Sequence, residues 1–261
     1  MARRLLIHLH MMKSIVLASS LLALGACTDS MSKDTSITSD EYDDVARSVA
    51  SSAATGGGGG DVGAMTDTAM IATGTMPLGF TLDVSGSIKG THLGVTYSYM
   101  LTCKDVNGTV LPVCTALTDN ANASLSWQGS LTLPNFSASV DRTGNWTLTG
   151  LQTAQATFNG DAMFSYDAMI DNPVRNTTVG YHFDDTATYD AIVVNTGSHL
   201  AVGGQINYDI TASKDVNGTT TRSFSLSAQV TINADSTATI VLDGTHHYTL
   251  NLSTGVVVTI D

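Results

Sequence analysis

The sequence predicts an all-β protein, an antiparallel meander closed as a soluble barrel or sandwich, and three observations carry that expectation. From Gly79 onward the hydrophobic pattern has a period of two, clearest where Phe224, Leu226, Ala228, Val230 and Ile232 alternate with Ser225, Ser227, Gln229 and Thr231. Such alternation gives each strand one buried and one wet face, as antiparallel sheets have and βαβ units do not. Turn signals punctuate it at Asn107-Gly108, Asn159-Gly160, Asn217-Gly218 and Asp243-Gly244. No long amphipathic helix pattern interrupts the run.

In chain order, residues 1–26 read as an export signal. Met12 and Lys13 give a short positive start, and Ile15 to Leu24 is an uncharged apolar run too short to span a bilayer. The tetrad Leu24-Gly25-Ala26-Cys27 resembles the lipobox of bacterial lipoproteins, with small residues where a peptidase must approach and a thiol to be alkylated. The resemblance is confined to the N-terminus. It implies removal of residues 1–26, lipidation of Cys27, and a membrane-attached protein of the bacterial cell envelope. Thr28 follows the cysteine where an aspartate is associated with inner-membrane retention, so the resemblance implies the outer membrane. Residues 1–11, with Arg3 and Arg4, prefix a signal that is already complete, and a start at Met11 or Met12 is the more natural one.

Residues 27–64 read as a lipid-anchored tether, rich in Ser, Thr, Asp and Ala and holding five glycines, Gly56 to Gly60. As a flexible coil it would extend about 30 to 36 Å. Within it a short helix is expected over 39–54. Thr38 and Glu41 have capping-box spacing, and Tyr42, Val45, Val49 and Ala53 share one helical face. The β-rich domain is expected over 65–261.

There, Phe80, Leu82, Val84 and Ile88 form one alternating run, and Leu125, Trp127 and Leu131 another. Further strands are expected at Val95 to Lys104, Asn145 to Thr149, Gln152 to Phe158, Met163 to Tyr166, Val179 to Phe183 and Thr188 to Val194. The last are Ile206 to Thr211, Thr237 to Leu242, His247 to Leu252 and Val256 to Ile260. The chain also echoes itself. Lys-Asp-Val-Asn-Gly-Thr occurs at 104–109 and 214–219, Gly-Thr-His-Leu at 90–93 returns as Gly-Ser-His-Leu at 197–200, and Trp146-Thr147-Leu148 as Tyr248-Thr249-Leu250. The pairs are colinear, which suggests an internal duplication.

Cys103 and Cys114 flank the first echoed turn, and an oxidising compartment favours their pairing as a disulfide. With a two-residue Asn-Gly turn Cys103 would lie opposite Pro112, so the bond needs a shifted register. Ser213 and Phe224 occupy the matching places in the second copy, so the bridge is a staple of the first alone.

Composition narrows the function. The chain carries 11 Lys and Arg against 23 Asp and Glu, a formal charge of −12, and losing Arg3, Arg4 and Lys13 with the signal deepens it. Scattered cations exclude a nucleic-acid partner. The only glutamate is Glu41, so carboxylate chemistry in the body must use aspartates. Asp105 and Asp215 sit in loops reminiscent of calcium sites, but Cys103 and Ser213 stand at the first ligand position and a hairpin turn explains the residues better. His246 and His247 point to opposite faces of a strand and cannot chelate together; His92 and His199 are placed at strand ends. Asp184 and Asp185, after His182, form the densest polar cluster and resemble a turn. No nucleophile elbow, metalloprotease helix or phosphate loop is present, so no catalytic residue, metal ligand or cofactor is assigned. The preferred expectation is a lipid-anchored binding or interaction module for a protein or small-molecule ligand. The alternative is a lipid-anchored hydrolase using aspartates. A membrane β-barrel is disfavoured by a 6% aromatic content that leaves no girdles.

Overall fold

The computed structural model describes residues 36–54, 60–84, 86–92, 94–198 and 200–260. The expected export signal, residues 1–26, and Cys27 lie outside the described residues. Two helices, α1 (Ser39–Ala53) and α2 (Asp61–Ala72), precede twelve strands. The strands are β1 (Phe80–Leu82), β2 (Ile88–His92), β3 (Val95–Lys104), β4 (Asn120–Leu133), β5 (Phe136–Thr149), β6 (Gln155–Asn172), β7 (Thr177–Asn195), β8 (Ala201–Val216), β9 (Thr219–Ile232), β10 (Thr237–Leu242), β11 (His246–Asn251) and β12 (Val257–Ile260). They form one antiparallel sheet in sequence order from β1 to β12, a pure meander. The order is open: β1 and β12 are its two ends, and no pairing joins them among the described residues. Alternation sets the faces, with Trp146, Leu148, Phe158, Tyr189, Ile206, Tyr208, Val230 and Ile240 buried on the inner side.

The helices occupy that inner side. α1 packs on β10 to β12 and α2 on β3, and their apolar residues belong to the same core cluster as the strands. The segment expected to be a tether through residue 64 is therefore partly core: Val45, Val49, Val62 and Met65 are each at most 3% exposed. A boundary after residue 64 would cut α2. The expected capping box is present, with Thr38 N–H donating to the Glu41 carboxylate at 2.8 Å and Glu41 N–H to Thr38 Oγ1 at 3.3 Å. Burial raises the Glu41 carboxyl, but its bonds to Arg222 and Thr38 outweigh that and hold it below the ordinary value. Gly60 caps α2 because nothing larger fits: a β-carbon there would lie 1.9 Å from the Ala54 carbonyl oxygen.

Several turn signals resolve differently from expectation. Phe80 to Ile88 is a hairpin, since Asp83 accepts from Ser87 N–H and Gly86 takes a positive φ of 82°. Asn159-Gly160 is a bulge inside β6, where Gly160 crosses the Asn145 carbonyl at a distance that no side chain would allow. Asp184-Asp185 lies mid-strand in β7. The two Lys-Asp-Val-Asn-Gly-Thr copies adopt different turns. Asn217 and Gly218 both have positive φ and close a two-residue hairpin between Val216 and Thr219. In the first copy only Gly108 is left-handed, Asp105 pairs with Thr109, and Lys104 bridges Val110. That extra loop residue sets Cys103 opposite Leu111, whose N–H it accepts at 2.8 Å, and the chain then curls so that Cys114 bonds Cys103. The two hexapeptides begin at the ends of β3 and β8, but the third echo falls on β5 and β11, which breaks the spacing a simple duplication would keep.

Candidate functional site

Strand register lines up outward side chains into rows across the middle of the sheet. One runs Gln128, Asp141, Ser165, Asp184, Thr211, Ser225 from β4 to β9. The next holds Thr143, Met163, Thr186 and Asp209. From Asp141 to Ser225 in the first row and throughout the second, these residues line an open trough of about 690 Å³. A second depression of about 560 Å³ shares Asp141 and Ser165 with it and extends the groove towards Gln128, Ser130, Ser139 and Asp167. No lysine or arginine is among the residues that line either. Gln128 Nε2 donates to Asp141 at 2.8 Å, and the Thr211 and Ser225 hydroxyls meet at 3.2 Å. At the border, the His182 ring is held between Asp167 at Nδ1 and Asp215, 3.4 Å from Nε2. The Asp167 hydrogen bond is the main reason its value rises above the ordinary 6.5.

Behind the groove lies a buried polar cluster that holds α2 against the sheet. The inner row Trp127, Arg142, Phe164, Asp185, Ile210, Leu226 crosses the same strands. Arg142 is 1% exposed, its guanidinium 4.9 Å from the centre of the Trp127 ring. It pairs with Asp61 at the first turn of α2 and donates to Tyr189 Oη at 2.7 Å. Tyr208 Oη donates to the other Asp61 oxygen at 2.6 Å. Asp185 sits beyond Phe164 in that row, about 10 Å from Arg142 by strand spacing. Its Oδ1 has no hydrogen-bond partner among the described residues. Burial pushes the Asp185 carboxyl up to about 7, against the pull of Arg142. One guanidinium thus faces two carboxylates, and burial together with the charge of Asp61 disfavours ionisation of Asp185.

Of the residues singled out in the sequence, Cys103 and Cys114 are brought together. Asp105 spends its carboxylate on its own turn, accepting from Asn107 and Thr109 N–H, and those bonds, Thr109 first, lower its value. His182 and Asp184 face outward and Asp185 inward, so the three do not converge. His246 stacks on Tyr42 with ring centres 3.7 Å apart, while His247 faces outward. The side chain of His92, and His199, fall outside the described residues. No group of three His, Cys, Asp or Glu is arranged to hold a metal among the described residues. The Asp61 to Arg142 pair was not anticipated, yet a signal existed: Arg142 takes the same parity as Val140, Trp146 and Leu148, an inward position. No helix among the described residues is long and apolar enough to cross a membrane. No protein-family model matches the chain, and neither a curated protein nor a solved structure does.

Proposed function

We propose that this chain is a lipoprotein of the bacterial cell envelope, anchored at the outer membrane through Cys27, that serves as a binding module for a cationic ligand. The observation that carries the reading is the continuous outer-face groove, in which Asp141, Asp167, Asp184 and Asp209 stand among hydroxyls with no lysine or arginine on the lining. Carboxylates held on paired strands keep their spacing without loop ordering on binding, which favours recognition over chemistry. The aspartates supply charge and the serines and threonines supply acceptors for ammonium or guanidinium groups.

The test is calorimetric titration of spermidine into the purified protein at low salt. Saturable binding, weakened at least about fivefold (about 1 kcal/mol) in the Asp141→Asn, Asp184→Asn double variant, is expected. Equal affinity in wild type and variant would remove the groove from the proposal. The anchor is tested separately: Cys27→Ser should shift the protein from the membrane to the soluble fraction.

A further inference from the structure

The meander sends its turns alternately to two ends of the sheet, and the chain enters the fold at only one of them. Arg222 Nη2 accepts its place there by donating to the Ser36 carbonyl at 2.6 Å, and its guanidinium grips Glu41 at 2.7 Å. Register puts Arg222 level with Lys214 and Tyr181 on the neighbouring strands. Among the turns at this end are those that join β4 to β5, β6 to β7 and β8 to β9. The β6–β7 turn projects farthest, since Asn217 meets Thr178 and Asn135 meets Asp171, both short of its apex at Val174 and Arg175. Val174 is 93% exposed, and Leu133 on the adjoining rim is 53% exposed. The apex is fixed in shape, because Asn172 Oδ1 accepts from Arg175 N–H at 3.1 Å.

Distances along the chain allow this end to meet a membrane that holds Cys27. Arg175 is six residues from Tyr181, so the apex lies about 15 to 20 Å beyond the level of Arg222, whose side chain holds Ser36. Cys27 is nine residues before Ser36, and nine residues reach at most about 30 Å. The height of the apex is therefore within the reach that nine residues allow. We infer that the β6–β7 apex, Val174 with Arg175, seats in the phospholipid headgroup layer beside the anchor; this rests on lipidation of Cys27. The chemistry suits that layer: Val174 and Leu133 offer apolar surface, and Arg175 reaches phosphate oxygens while its stem stays apolar.

The experiment uses the full acylated chain with a thiol-reactive fluorophore on Val174→Cys, in vesicles of phosphatidylcholine and phosphatidylethanolamine carrying a headgroup nitroxide quencher. Val256→Cys, 58% exposed in the turn between β11 and β12 at the other end, is the reference. Loss of fluorescence at 174 with none at 256 is expected. Protein that sediments with vesicles but shows no loss at 174, or equal loss at both sites, overturns the contact and leaves the anchor standing. Protein that stays in the supernatant overturns both.

Discussion

Replacing Asp185 by Asn should stabilise the protein at alkaline pH and change little in acid. The folded carboxyl is raised to about 7 by burial, against an ordinary value of 3.8. Because the folded value lies above the unfolded one, the native state binds the proton more tightly. The penalty of burying the charge is therefore full above pH 7, relieved as pH falls through that value, and gone below about 4. A gap of about three pH units is worth about 4 kcal/mol, and about a quarter of it persists at pH 4.5, where the unfolded side chain is still mostly ionised. Asn keeps the shape and never ionises, so wild type and variant should differ in relative stability by about 3 kcal/mol between pH 4.5 and 8.5. Guanidinium chloride unfolding followed by circular dichroism at both values measures it. Every other titration is shared by the two proteins and cancels. A stability difference that is the same at both pH values would show that Asp185 carries no buried charge penalty and that Arg142 fully satisfies two carboxylates.

Three further outcomes follow from the packing. Gly60→Ala should lower stability by about 1 to 3 kcal/mol, seen as a drop in thermal midpoint, because the added methyl meets the Ala54 carbonyl. Reducing Cys103–Cys114 opens the loop that the bond closes across a separation of 11 residues and should cost about 3 kcal/mol, visible as a lower denaturant midpoint with reductant than without. A chain lacking residues 1–64 should lose its single cooperative transition, since it lacks Val45, Val49 and Val62 from the core and leaves Arg142 without Asp61; a sharp, wild-type-like melt would refute the role given to the helices.

What the sequence disclosed and what it hid divide along a physical line. Period-two alternation marked the strands wherever one face is apolar and the other is Ser or Thr, as in β9, and the limits expected for β3 and β10 match those observed. Signals tied to two or three residues did worse. Asn-Gly reads as a turn, yet at 159–160 the strands on both sides already have partners, and tertiary pairing turns the dipeptide into a bulge. Asp184-Asp185 likewise looks like a turn because the cost of an inward carboxylate is invisible without its neighbours Arg142 and Phe164. The outer groove depends on register across six strands, which no single stretch encodes. Helix α2 was missed because it is apolar on most sides and lacks the one-sided stripe that marked α1.

The helices have a position in time as well as in space. Every strand pairs with its sequence neighbour, so the sheet can grow hairpin by hairpin as chain is delivered. The helices are made first, and although Arg142 of β5 reaches Asp61 earlier, several of their polar partners come late: Tyr208 bonds Asp61 across 147 positions, Arg222 bonds Glu41 across 181, and Tyr248 bonds Asp43 across 205. As the chain is made from its N-terminus, α1, which packs on β10 to β12, leaves Val45 and Val49 open to the wrong contacts until those strands are formed. The seating of α1 thus joins the oldest of the described segments to the youngest strands, a closure that hairpin-by-hairpin pairing of the sheet does not by itself accomplish.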